Sequence, residues 1–163
     1  MRCYVLTGAP GAGKTTLAEA LRRRGWPVVA EAATDVIAAE QARGVGEPWR
    51  EAGFLDAVAR VQRERREAPG TYGRVRIHDR SPLCTLALAR HLGRPPGRVL
   101  VEEVRRVLRD GAYERPVFLV QPLGFVPRAP VRVRVALVET HLRHLAVLPP
   151  DRAEGVPDPA YLT

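Results

Sequence analysis

The stretch Gly8-Ala9-Pro10-Gly11-Ala12-Gly13-Lys14-Thr15, followed by Thr16, restricts this chain more than any other. Three glycines in six positions allow backbone angles that a side chain forbids, so the loop can curl and aim its N–H groups inward. The residues before it, Cys3 to Thr7, read as a buried strand. Those after it, Leu17 to Leu21, read as a helix whose unpaired N–H groups and positive dipole end favour an anion. The spacing G-x-x-x-x-G-K-[ST] in a strand–loop–helix setting is that of a phosphate-binding P-loop. In such a loop Gly8, Ala9, Pro10, Gly11, Ala12 and Gly13 cradle the phosphates and Lys14 reaches the β/γ-phosphates. The Thr15 hydroxyl ligates Mg²⁺, and Thr16 extends the binding segment into the helix. The expected cofactors are ATP and Mg²⁺, held at nucleotide-binding positions 8–16, with Thr15 and an acid still to be found as metal ligands.

Length and charge limit the alternatives. A chain of 163 residues suits one domain with a real core. No apolar run is long enough to span a membrane, and the first strand begins almost at Met1, so the expectation is a cytoplasmic protein with no membrane partner. Cys3 and Cys84 do not suggest a disulfide framework or a metal set. The formal net charge is +8, and of the 26 basic residues Lys14 is the sole lysine. The arginines are scattered, several in mixed runs such as residues 63–67, which reads as a solvated surface and not as a nucleic-acid interface.

Along the chain, strands and helices alternate. The first helix should run to about Arg24 and stop at Gly25. Residues 27–31 read as a second strand with Glu31 at its carboxyl end, where ligands of parallel α/β sheets bind. Thr34 or Asp35 is expected to cap a helix over residues 36–43, and a long helix should span residues 49–67. Residues 75–78 form a third strand, weaker in hydrophobicity than a central strand should be. It leads into Asp79, where an acid that organises Mg²⁺ belongs. Ser81 can cap the next helix, with Pro82 in its first turn and His91 near its end. An amphipathic helix follows over residues 98–109, with Val101, Val104, Val107 and Leu108 on one side. Residues 116–121 are the fourth strand.

Beyond Gln121 the character changes. Residues 122–134 carry Arg128, Arg132 and Arg134 among prolines, either as a flap over the phosphates or as a plain exposed loop. A helix over 135–144 places His141 and His144 on one face, with no third ligand to make a zinc site. Residues 145–148 read as a last short strand, and 149–163 as a flexible proline-rich tail. The predicted fold is α/β, a P-loop three-layer sandwich with a mainly parallel sheet of about five strands and helices on both faces. Residues 1–148 form its nucleotide-binding domain.

With the P-loop, residues 28–33, the Asp79-Arg80-Ser81-Pro82 piece, residues 117–125 and residues 138–141 side by side, the chain resembles the AAA-type predicted ATPases related to nicotinamide riboside kinase domains. More distantly it resembles deoxynucleoside and thymidylate kinases. The likeness covers about residues 1–148. It implies that Glu31 is the general base or the acid that positions the acceptor, and that Arg80 binds phosphate or acceptor. Asp79 would bind Mg²⁺ through water or help position the acceptor, and one of the arginines of the flap would add charge. The implied activity is phosphoryl transfer from ATP to a small nucleoside-like or other hydroxyl acceptor, catalysed with Lys14, Glu31, Asp79 and Arg80. The alternative is an ATPase or nucleotide-dependent regulator with no small-molecule acceptor.

Overall fold

The computed structural model describes residues 1–69 and 73–120. The flap arginines, the His141/His144 helix, the strand expected at 145–148 and the tail lie outside the described residues. In chain order the elements are β1 (Arg2–Gly8), α1 (Lys14–Arg23), β2 (Val28–Val29), α2 (Ala32–Ala42), a short 3-10 turn (Pro48–Arg50), α3 (Phe54–Glu67), β3 (Val75–Asp79), α4 (Pro82–His91), α5 (Arg98–Arg109) and β4 (Val117–Val120). The described strands form one parallel sheet in the order β2-β3-β1-β4.

Parallel pairing needs a crossover between neighbouring strands, and the helices supply it. Leu6 pairs in register with Asp79 of β3 and Phe118 of β4, so β1 runs through the middle of the sheet. One face packs on α1 through Leu6, Ile77 and Ala18, joined by Leu21, Val28 and Val75. The opposite face meets α3 and α4, where the Cys84 thiol reaches Thr7 Oγ1 at 3.6 Å. Helices α2 to α5 share a second core built on Val36, Phe54, Leu55, Val58, Leu86, Leu100 and Val104. Among the described residues no helix is long and apolar enough to cross a membrane.

Several expectations are corrected. The second strand is only Val28–Val29, because the chain turns into α2 at Ala32, four residues before the expected start. Glu31 therefore takes the N-cap position that was expected of Thr34 or Asp35, and both of those lie inside the first turn. The helix expected from residue 49 begins at Phe54: Trp49 belongs to the 3-10 turn, and Glu51 is extended (φ −65°, ψ 140°). Ser81 does occupy the N-cap position of α4, yet its hydroxyl makes no capping bond and lies 3.5 Å from Cys84 Sγ. In α5 Val104 and Val107 are buried as expected, Val101 and Leu108 are half-buried, and Leu100 and Glu103 complete the buried stripe.

The third strand is the largest correction. Its polar alternation argued against a central place, but β3 lies between β2 and β1, with Arg76 2% and His78 3% exposed. A buried guanidinium needs partners. Arg76 has them at the C-terminal end of α3, where it donates to the carbonyls of Arg65 and Arg66. Those carbonyls have no intrahelical partner, and a cation there also suits the helix dipole.

Candidate active site

Gly8 ends β1 with φ +146°, and a Cβ there would lie 2.4 Å from the carbonyl oxygen of Val120. Only glycine lets β1 leave the sheet this close to β4. Gly11 and Gly13 follow with φ +75° and +90°, and Ala12 N donates to Ala9 O at 3.2 Å inside the loop. Gly13 is the N-cap of α1. No side chain caps that end, and the first turn holds no acid. The helix thus presents uncompensated N–H groups to the loop, as an anion site requires. A Cβ on Gly13 would meet nothing within 4 Å, so the space over the loop is open.

Lys14 is 7% exposed and its ammonium donates to Ala9 O at 2.9 Å. Burial lowers its pKa, and the nearby Arg80 adds to the effect, while Asp79 and Glu31 oppose it. Thr15 and Thr16 are exposed in the first turn of α1. Asp79 closes β3 beside Leu6, is nearly buried, and its Oδ1 has no hydrogen-bond partner. Burial raises its pKa, Glu31 pushes the same way, and Lys14 and Arg80 pull it back. A buried oxygen without a partner is a costly arrangement that a bound cation or its water would relieve.

Arg80 follows with φ +69°, the one non-glycine residue at positive φ among those described. Its N–H still donates to Leu6 O at 2.9 Å, which holds the bend against β1. The bend sends the side chain across the site: Nε donates to Glu31 Oε1 at 2.6 Å and Nη2 to Gly8 O at 3.3 Å. The other oxygen of Glu31, Oε2, accepts from the Thr34 hydroxyl at 3.1 Å. Strain at such a residue, about 1–2 kcal/mol, persists where the surroundings hold it and clusters at functional sites.

The structure therefore brings Lys14, Glu31, Asp79 and Arg80 to one place, at the carboxyl ends of β1, β2 and β3. The P-loop and the Asp79 carboxylate fit a nucleotide with its Mg²⁺. No group of three or more His, Cys, Asp or Glu side chains is placed to hold a metal among the described residues.

Beside this cluster lies a cavity of about 120 Å³ lined by Pro10, Glu31 and Arg80 at one side and by Phe54, Leu55, Val58 and Leu88 along its walls. Gln62 and Thr85 also line it, and Thr85 donates to Gln62 Oε1 at 3.1 Å. Sequence reasoning missed these two. Their signal was available, since Gln62 falls four residues after Val58 on the apolar face of α3, and Thr85 interrupts the apolar run of residues 82–89 in α4.

A search of curated proteins finds no match to the sequence. Among solved structures, one described as NadR protein in complex with NR superposes with a TM-score of 0.59 at 20% identity. The match covers 89% of this chain but 40% of that one, so this chain spans less than half of its length. At such identity the likeness shows the fold, a P-loop α/β sandwich. A family model described as AAA domain matches residues 3–146, and the chain belongs to that family of P-loop proteins.

Proposed function

We propose that the protein is an ATP- and Mg²⁺-dependent phosphotransferase acting on a small nucleoside-like or other hydroxyl acceptor. The observation that carries this reading is the Glu31–Arg80 pair, standing between a phosphate cradle and an apolar cavity with polar groups at its edge. Its lining, apolar walls with a few polar groups at the edge, is that of a small-ligand site, and its volume of about 120 Å³ is below the roughly 300–1,000 Å³ usual for one. Bound ATP·Mg²⁺ supplies the phosphoryl group and the charge that screens it. Lys14 and the loop N–H groups hold the phosphates, Thr15 and Asp79 hold the cation, and the cavity holds the acceptor with its hydroxyl towards Glu31. Glu31 takes the hydroxyl proton. Arg80 keeps that carboxylate aimed and adds positive charge beside the transferring group. Such transfer needs positioning and charge stabilisation more than covalent chemistry.

The same reading favours small ligands over nucleic acid. Arg43, Arg50, Arg63, Arg65, Arg66, Arg80, Arg98, Arg106 and Arg109 all stand in ion pairs with acids, so much of the positive charge is locally balanced. A cytoplasmic setting belongs to it too, consistent with the free thiols of Cys3 and Cys84.

The test is ATP binding by calorimetry together with ADP release across a panel of nucleosides, nucleotides and sugars. Lys14→Ala should weaken ATP binding and reduce turnover about 100-fold or more. Glu31→Gln should lower acceptor-dependent turnover by a similar factor while ATP still binds. Turnover without any acceptor would replace this reading with an ATPase, and full turnover by Glu31→Gln would remove Glu31 as the base.

A further inference from the structure

The segment that carries Glu31 is weakly held by the sheet, because β2 is two residues long and, among the described residues, pairs only with Ile77 and His78. Its firmest tie comes from far along the chain. Arg65, in the last turn of α3, donates through Nη1 to the carbonyls of Ala30 at 2.9 Å and Glu31 at 2.8 Å. Its Nη2 pairs with the Asp35 carboxylate one turn into α2. One guanidinium thus grips the carbonyls on both sides of the Glu31 Cα and the first turn of the helix whose N-cap position Glu31 occupies. The fixed fork of arginine makes such a three-point hold possible, and a single ammonium cannot copy it.

Arg65 is itself anchored. Its carbonyl, and that of Arg66, accept from Arg76, which is buried on β3. Three residues further on, the same strand ends at Asp79 and passes into Arg80. Both partners of the Glu31–Arg80 pair are therefore referred to β3, Arg80 directly and Glu31 through Arg76 and Arg65.

We infer that Arg65 is a positioning residue for Glu31: it touches neither the cavity nor the P-loop and acts by holding the Glu31 backbone where its carboxylate meets Arg80. This rests on the reading of Glu31 as the acid of phosphoryl transfer. A ligand-free measurement separates the two. In protein carrying ¹³C-labelled glutamate, the Glu31 carboxyl signal is assigned by its loss in Glu31→Gln. Arg65→Ala shifts that signal, Arg65→Lys shifts it less, and Arg63→Ala, an exposed arginine of the same helix paired with Glu67, leaves it in place. In turnover with an acceptor from the panel, Arg65→Ala lowers kcat at least about 10-fold with KM for ATP unchanged. Adding Arg65→Ala to Glu31→Gln brings no further loss, as expected of one residue acting through another.

A Glu31 signal that does not move in folded Arg65→Ala protein overturns the inference, and so does an additive double variant. If Arg65→Ala fails to fold, Arg65→Gln retains a donor for the carbonyls, and the same signal decides. Full turnover by Glu31→Gln would remove Glu31 as the base and with it any catalytic use of the clamp. The clamp itself is still read from the carboxyl signal, so the two failures look different.

Discussion

Gly8 and Gly13 carry the same letter in the motif and do different work. At Gly8 an added methyl meets the Val120 carbonyl at 2.4 Å, a backbone atom that cannot swing aside, and φ is +146°. Gly8→Ala must therefore open the β1–β4 pairing, at a loss of about 3 kcal/mol or more, read as a fall in melting temperature or in soluble yield. At Gly13 the space is open and only the left-handed backbone opposes a side chain, about 1–2 kcal/mol. Gly13→Ala should fold and show its defect in ATP titrations, by about tenfold, because the loop N–H groups no longer converge. Asp79 gives a third residue-scale expectation. Burial holds its folded pKa above the usual 3.8, so the ionised carboxylate destabilises the fold once the pH exceeds that value, and fully above the folded pKa. Asp79→Asn should raise the melting temperature of nucleotide-free protein at neutral pH, by an increment that vanishes on acidification below the ordinary carboxylate range. It should also weaken Mg²⁺-dependent ATP binding. A gain in stability bought by a loss of function is the mark of a group kept for its chemistry.

At the scale of elements, what the sequence made legible was local. The strand–loop–helix around the P-loop, the stop of α1 at Gly25 and the placing of Asp79 at a strand end all follow from neighbours in the chain, and the structure has them. What escaped was set by partners far away. Glu31 stands beyond the end of β2 as read, but it also takes the N-cap position of α2, because Arg65, 34 residues away, holds the turn. The start of α5 is similar. Its N-terminal residue has no capping side chain nearby, and the cap comes from Asp56 in the first turn of α3, whose carboxylate accepts from Val99 N at 3.3 Å and Leu100 N at 3.0 Å. Gly97 fits against that carboxylate, because a Cβ there would lie 2.4 Å from Asp56 Oδ1. Asp56→Ala should cost about 1–2 kcal/mol in urea unfolding with an unchanged slope, the usual size for losing a helix cap. A loss well below that would mean that the α3–α5 apolar packing, not the cap, sets where α5 begins.

Across the whole molecule, the sheet separates two kinds of interior. Under α1 it is apolar, with Leu6, Ile77 and Ala18. On the other face it holds Arg76, His78 and, close by, the Arg66–Glu103 ion pair with Tyr113 set edge-on to the His78 ring at 5.2 Å. Residues 75–79 could not be recognised as a central strand because period and burial disagree there: the polar alternation faces a buried ionic layer that no single element reveals. That layer makes a prediction for the fold as a unit. Burial first, then Arg76 and Arg66, lower the His78 pKa from 6.5 to about 4. The folded state thus keeps the imidazole neutral while the unfolded chain takes up a proton. The contribution to stability is intact above about pH 6.5 and is lost as the pH falls towards and through about 4, with a limiting slope of about 1.4 kcal/mol per pH unit. His78→Phe keeps a ring against Tyr113 and cannot titrate, so its melting temperature should fall less than that of the wild type across the same window. Equal falls in the two proteins would assign the acid sensitivity to other groups. Asp79 is not one of them, because its raised pKa restores stability on acidification, so a steeper fall in the wild type isolates the buried imidazole.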